Sequence, residues 1–182
     1  VNTENRLEIE IKIRVDLLPP WHGKLVGLGA TLECPRALER NLVFDTPGSS
    51  LKKRGILLRL RQHGGGSVLT MKTPARQDGV YKVREETEVD GFDFARMEAI
   101  LCGIGFQPFF IYEKYREVFA MNGARIMLDE TPIGNFLEIE GEPAGIDAVA
   151  AELGFSRGDY RSDSYYQLFL ISGCSGHMVF AK

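Results

Sequence analysis

Residues 6–15 read Arg-Leu-Glu-Ile-Glu-Ile-Lys-Ile-Arg-Val, an unbroken alternation of charged and apolar side chains. In a β-strand, whose side chains leave alternate faces, Glu8, Glu10 and Lys12 share one face while Ile9, Ile11 and Ile13 share the other. The same period returns at Arg59 and Arg61, at Arg84, Glu86 and Glu88, at Lys114 and Arg116, and at Glu138 and Glu140. One charged surface is therefore expected to spread over several strands.

Period-2 patterning and turn residues predict eight strands, at 6–15, 39–46, 56–63, 67–73, 80–90, 110–120, 124–131 and 135–141. Gly64-Gly65-Gly66 and Asn122-Gly123 are hairpin turns, so neighbouring strands should run antiparallel. Helical spacing is clearest at Phe94, Met97, Leu101 and Ile104, again at Ile146, Val149, Ala150 and Leu153, and in a short stretch at Tyr165, Leu168 and Phe169. A weaker helix is expected over 21–38, and the polar segment 74–79 is expected to be a mobile rim. Residues 168–182 read as the end of a packed helix followed by a tail.

At 182 residues, 44% of them hydrophobic, the chain can build one core, and a single domain over 1–182 is expected. A formal net charge of −3 argues against general nucleic-acid binding, so any anion site must be local. Cys34, Cys102 and Cys174 are odd in number and widely spaced, which fits a reducing, cytoplasmic setting without disulfides or a zinc site. The charge that begins at Glu4 is unlike a signal peptide, and no run approaches the roughly 20 apolar residues that span a bilayer. His22, His63 and His177 are scattered, and Gly64–Gly66 lacks the continuation of a phosphate-binding loop. Helix packing is the expected task of Tyr165, although Ser164 and Tyr165 stand where they can reach the mouth of a cavity.

Like charges two residues apart on a strand emerge roughly 6.5–7 Å from one another and repel unless something lies between them. Glu8 with Glu10, and Glu138 with Glu140, suit a hard divalent cation. Arg59 with Arg61, and Lys114 with Arg116, suit phosphate oxygens. If the strands close into a barrel, one face of each lines a lumen, and Ile9, Ile11, Ile13, Leu58 and Leu60 face outward to be covered by helices. The lumen would then hold acids and bases in near balance, Lys12, Lys72, Arg84 and Asp129 among them, as a metal-bound polyphosphate requires.

These tracts resemble the CYTH superfamily, also called triphosphate tunnel metalloenzymes, which includes class IV adenylyl cyclases and thiamine triphosphatases. The family's ExExK reads here as Glu8-Ile9-Glu10-Ile11-Lys12. Leu51–Gly55 leads into LRLR at 58–61, followed in order by LTMKTP at 69–74, VREETEV at 83–89, EKYRE at 113–117, LDE at 128–130 and FLEIEG at 136–141. The resemblance implies an α+β fold in which a closed eight-stranded antiparallel β-barrel forms a triphosphate tunnel with helices packed on its outside. It implies that Glu8, Glu10, Glu138 and Glu140, with Asp129 nearby, hold Mg2+ or Mn2+. Lys12, Arg59, Arg61, Lys72, Lys114 and Arg116 would contact phosphates, with Arg84 counted among the binding residues. The implied partner is a triphosphate-bearing small molecule, with neither nucleic acid nor membrane, and a homodimer is left open. Many members carry an Asp and a Tyr where this chain has Asn41 and Val43, so the organic part of the substrate is not carried over.

The leading expectation is a metal-dependent triphosphatase in which Glu8, Glu10, Lys12, Asp129 and Glu88 are catalytic, with Asp129 or Glu88 orienting the attacking water. A class IV adenylyl cyclase making cyclic AMP and pyrophosphate is the alternative. A non-catalytic polyphosphate or nucleotide binder is a third reading, disfavoured because an anion receptor has little use for so many carboxylates.

Overall fold

The computed structural model describes residues 6–181, so the charge at Glu4 lies outside the described residues. Its first strand, β1 (Arg6–Val15), is the alternating tract itself, and both of its edges are paired. The chain continues through α1 (Pro19–Gly27), β2 (Thr31–Asp45), α2 (Ser50–Lys53), β3 (Leu57–His63), β4 (Gly66–Lys72), β5 (Arg76–Asp78) and β6 (Tyr81–Asp90). Then come α3 (Phe94–Gly103), β7 (Gln107–Met121), β8 (Ala124–Thr131), β9 (Gly134–Glu140), α4 (Pro143–Leu153) and α5 (Tyr165–Ile171).

Strand order β1-β9-β8-β7-β2-β3-β4-β6, with β6 returning to β1, closes an eight-stranded antiparallel barrel. Tight turns set the register. Gly64 and Gly65 join β3 to β4, and Asn122 and Gly123 join β7 to β8, all four with positive φ, the geometry that matches the twist of paired strands. Closure fixes which face is inside, because a slip of one residue would carry every charge of β1 into the outer core.

Outward, Ile11 and Ile13 pack with Ile126, Leu137 and Ile139 under Ile146, Val149 and Leu153 of α4. Leu42, Phe44 and Leu60 lie under Leu101 of α3, whose N-terminus is capped by the Asp93 carboxylate accepting from the Arg96 N–H at 2.8 Å. Each such aliphatic side chain, fully buried, contributes about 1.5–3 kcal/mol. The third core differs in kind. Tyr165, Leu168 and Phe169 of α5 meet Val43, Phe110, Tyr112 and Phe136, so this helix lies across one end of the barrel.

Two local expectations are corrected. The helix over 21–38 is confined to Pro19–Gly27, and residues from Thr31 onward belong to β2. Pro35 does not end a helix here. It sits in a strand irregularity, between Cys34 and Ala37, where the register against β7 shifts and a missing N–H costs nothing. The long ladder with β7 overrides the local pattern. The segment 74–79 is likewise not a free rim, because Arg76–Asp78 forms β5 and pairs with Tyr81–Val83 of β6.

The tail after α5 also has a structural place. The Met178 N–H donates to the Ile111 carbonyl at 2.9 Å and the Glu113 N–H to the Met178 carbonyl at 2.8 Å, a parallel pairing on the edge of β7 that β8 leaves open. Among the described residues no helix is long and apolar enough to cross a membrane.

Candidate active site

The barrel encloses a tunnel with a cavity volume of about 560 Å³, within the range that holds a small organic ligand. Its walls come from the inward rows of the strands. Pairing sets Glu10 opposite Glu140 and Lys12 opposite Glu138 between β1 and β9, and Glu8 opposite Arg84 between β1 and β6. Across the lumen, β2, β3 and β7 place Glu39 opposite Lys114 and Asn41 between Tyr112 and Arg61.

On the β1–β9–β6 side the carboxylates are crowded and tightly paired. Glu10 Oε1 accepts from Lys82 Nζ at 2.5 Å and lies 3.0 Å from Lys12 Nζ. Glu8 Oε1 accepts from Lys72 Nζ at 2.5 Å, and Glu138 lies 3.2 Å from Lys12 and 3.1 Å from Arg116. Burial opposes ionisation of Glu10, but Lys12 and Lys82 outweigh it and draw its pKa down to about 2. Burial opposes ionisation of Glu138 as well, and Arg116, Lys12 and Lys114 hold its carboxyl well below the usual range. Glu86 goes the other way. Burial lifts it, Lys72 opposes the lift, and Glu8 and Glu88 add to it, leaving a pKa of about 7. Glu140 is also raised, by burial and by Glu8, despite Arg6 at 2.8 Å.

The opposite wall carries the forked cations. Arg59 donates through Nη2 to Thr70 Oγ1 at 3.1 Å, and Thr70 in turn donates to Glu88 Oε1 at 2.5 Å. Arg61 donates through Nε to Asn41 Oδ1 at 3.2 Å. Arg116 grips Asp129 with two bonds of 2.6 Å, Lys114 reaches the same carboxylate at 3.0 Å, and the Tyr165 hydroxyl donates to it at 2.5 Å. Burial, joined by Asp129, pushes the Tyr165 phenol well above its ordinary value, which keeps it a donor. The Tyr165 ring also lies near both ammonium groups, 5.4 Å from Lys12 and 5.0 Å from Lys114.

Of the residues expected from sequence, Glu8, Glu10, Lys12, Arg59, Arg61 and Lys72 line the cavity, as do Arg84, Glu86, Glu88, Lys114, Arg116, Glu138 and Glu140. Asp129 is placed differently. It is fully buried, with its oxygens taken by Arg116, Lys114 and Tyr165.

Sequence reasoning passed over Lys82, Tyr112 and Glu39, all of which line the tunnel; Ser164 and Tyr165, expected within reach of the cavity mouth with packing as the main task of Tyr165, line it too. Lys82 and Tyr112 each precede a recognised cation by two residues, so the alternation itself marks them. Glu39 was hidden by the helix expected up to residue 38.

Comparison with known proteins agrees with this geometry. The chain is 27% identical over 135 residues to a Methanocaldococcus jannaschii protein provisionally named an adenylate cyclase, the match covering 74% of this chain and 76% of the relative. A Vibrio parahaemolyticus structure, also provisionally named an adenylate cyclase, has the same fold with a TM-score of 0.81 at 19% identity, over 92% of this chain and 99% of the other. A Hippeastrum structure matches with a TM-score of 0.64 at 21% identity, over 92% of this chain and 97% of its own; it is described as a provisional adenylyl cyclase that reveals a dominant triphosphatase activity. The CYTH domain family model matches residues 6–160, within which all the strands of the barrel lie, and the chain belongs to that family.

Proposed function

We propose that this single-domain protein hydrolyses a triphosphate-bearing substrate in its tunnel with the help of a divalent cation. The observation that carries the reading is one tunnel with arginine and lysine on one wall and a surplus of carboxylates on the other. Arg59 and Arg84 line it, and their buried Nε atoms lack acceptors among the described residues.

A triphosphate would lie along Arg59, Arg61, Lys114 and Arg116, with Lys12, Lys72 and Arg84 completing the grip. Arginine offers two parallel donors to a phosphate, and lysine a compact charge. Asp129 and Tyr165 position Lys114 and Arg116 before substrate arrives, so the charge that develops on the leaving phosphates meets fixed donors. Glu88, held by Thr70, stands at the edge of the lumen beside Arg59, 3.8 Å away.

The donor set fits a hard cation such as Mg2+ or Mn2+. Glu8, Glu10, Glu138 and Glu140 are oxygen donors on adjacent strands, and burial, with Glu8 adding to it, raises the pKa of Glu140. Among the described residues no three such side chains converge as they stand, because Lys72, Lys82 and Lys12 are bonded to Glu8 and Glu10. Those ammonium groups would turn to the phosphates as the carboxylates take the ion, which when bound neutralises phosphate charge as a Lewis acid.

A second reading is favoured by one feature. The end of the tunnel under α5 is lined by Phe109, Tyr166, Leu170 and Ile56, an apolar setting for an organic group, and relatives carry the provisional name of adenylate cyclase. The same grip on ATP would then serve attack by its own sugar hydroxyl. Purified protein incubated with Mg2+ and either tripolyphosphate or ATP decides, by assay of phosphate, pyrophosphate and cyclic AMP. Phosphate release is expected. Cyclic AMP in step with pyrophosphate overturns hydrolysis, and binding without product overturns both.

A further inference from the structure

The tunnel changes character along its length. On β7 the row that lines it reads Phe110, Tyr112, Lys114 and Arg116, and on β3 it reads Leu57, Arg59 and Arg61. The apolar members stand at the end covered by α5, where Val43, Phe110 and Phe136 meet that helix. A polyanion drawn to the cations would therefore leave any organic group it carries at the α5 end.

That end holds one aromatic ring more than a regular strand supplies. Between β2 and β7 the register passes from Val43 opposite Phe110 to Phe44 opposite Pro108, which makes Phe109 the extra residue of a bulge. In an unbroken strand Phe109 and Phe110 would leave opposite faces, but here both line the tunnel. Phe109 meets the ring of Tyr166 edge to face with centroids 5.5 Å apart, and Phe110 meets it in the same manner at 4.9 Å. The helix fixes Tyr166 as well, because the adjacent Tyr165 is bound to Asp129 and Ser164 caps the first turn by accepting from the Gln167 N–H at 3.3 Å. Lys52 Nζ donates to the Tyr166 hydroxyl at 3.2 Å, and lies 4.9 Å from the centre of that ring and 5.9 Å from that of Phe109. Asp45 accepts from the N–H groups of Leu51 and Lys52, both at 2.9 Å, and so holds the backbone that carries Lys52.

These groups are open to an arriving molecule. Phe109 and Tyr166 are half-buried, Lys52 is exposed, and Leu170 on the same lining is 48% exposed. A bare phosphate chain gains nothing from two rings and a leucine. A flat ring stacks on them, and acceptor atoms in that ring take the hydrogen bonds Lys52 has to give. A positively charged ring would instead meet the like charge of Lys52.

We propose that Phe109, Tyr166 and Lys52 form a specificity subsite that selects a flat, uncharged heterocycle on the substrate over a bare phosphate chain. The ring lies at the α5 end and the terminal phosphate among the cations beyond it. This rests on the triphosphate reading of the site and says which part of the tunnel reads the organic group.

The test measures kcat/KM with Mg2+ for tripolyphosphate, for ribose 5-triphosphate and for the best used of ATP, GTP, CTP and UTP. Total phosphate and pyrophosphate released is the readout, so hydrolysis and cyclisation both register. Wild-type protein is expected to prefer the nucleotide to ribose 5-triphosphate, which lacks the ring, about 10-fold or more. The ratio of kcat/KM for the nucleotide to that for tripolyphosphate is expected to fall about 10-fold in Phe109→Ala and about 3-fold in Lys52→Met. Because each ratio is taken on one preparation, loss of folded protein cancels from it, and if Phe109→Ala yields no folded protein the ratio in Lys52→Met decides. Unchanged ratios overturn the subsite, as does wild-type protein that uses ribose 5-triphosphate as well as the nucleotide. Activity on tripolyphosphate with none on any nucleotide overturns the subsite and leaves the triphosphate reading standing, whereas activity on none of these substrates overturns both.

Discussion

The two walls of the tunnel solve the same electrostatic problem in different ways. On the β1–β9–β6 side, acids and bases are interleaved within single strands, and each carboxylate responds to several neighbours, so that Glu10 is drawn down to about 2 while Glu86 is lifted to about 7. On the β2–β3–β7 side the cations dominate, and each is held by a side-chain hydrogen bond: Arg59 to Thr70, Arg61 to Asn41, and Arg116 to Asp129, with Glu138 also 3.1 Å from Arg116. On the proposed function the first wall would exchange partners as a metal ion binds, while the second would stay in place. The difference teaches that paired charge in a tunnel is not all of one use: carboxylates paired to lysine ammonium groups would take a metal ion only as those groups turn away.

Glu138→Gln tests the contrast most severely. It keeps the shape of the side chain but removes the anion shared by Lys12 and Arg116, and turnover should fall roughly 100- to 1,000-fold with more Mn2+ needed for half-maximal rate. Steady-state rates across a Mn2+ titration check this. An unchanged rate with an unchanged Mn2+ half-saturation would move the metal-binding role away from β9.

Arg59→Ala probes the fixed wall. Removing a forked phosphate donor should raise KM for tripolyphosphate about 10- to 100-fold, with kcat changed less. If kcat falls and KM does not, Arg59 acts on the transition state alone and the static picture of that wall fails.

The smallest effect concerns protons. Folded Glu86 keeps its proton up to about pH 7, whereas the unfolded chain releases it near 4.5. Between those values the unfolded state binds fewer protons than the folded one, so the contribution of Glu86 to stability is lost as pH rises through the window. Urea midpoints measured at pH 5 and pH 7.5 should therefore differ less in Glu86→Gln than in the wild type. Equal slopes in both would show that the acidic wall relaxes more than its geometry implies.

Much of this was legible from alternation. Charges on β1, β6, β7 and β9 fall on one face because period 2 is a property of the strand itself, and the turns at Gly64-Gly65 and Asn122-Gly123 carry their pairing with them. The failures share a cause. Residues 31–38 have no clean alternation, and only the long partner strand β7 makes them extended; with β2 cut short, Glu39 fell at its edge and went unread. Tyr165, expected near the cavity mouth, was legible only in part, for another reason. Its spacing is that of a packed helix, which it is, but its reach through the barrel end to Asp129 depends on where α5 lands, and no local pattern encodes that.

β1 is made before both of the strands that flank it, and β9, which completes its second edge, is the last of the barrel. Closure therefore waits on contacts distant in sequence, the slow kind, and through that wait β1 is an open edge rich in isoleucine. Glu8, Glu10 and Lys12 are hydrated on that edge, and charges on an unpaired strand discourage stray pairing with other chains. The groups proposed to hold substrate and metal in the finished tunnel would thus protect the same strand during folding, and neutralising them would lower the yield of folded protein as well as its activity.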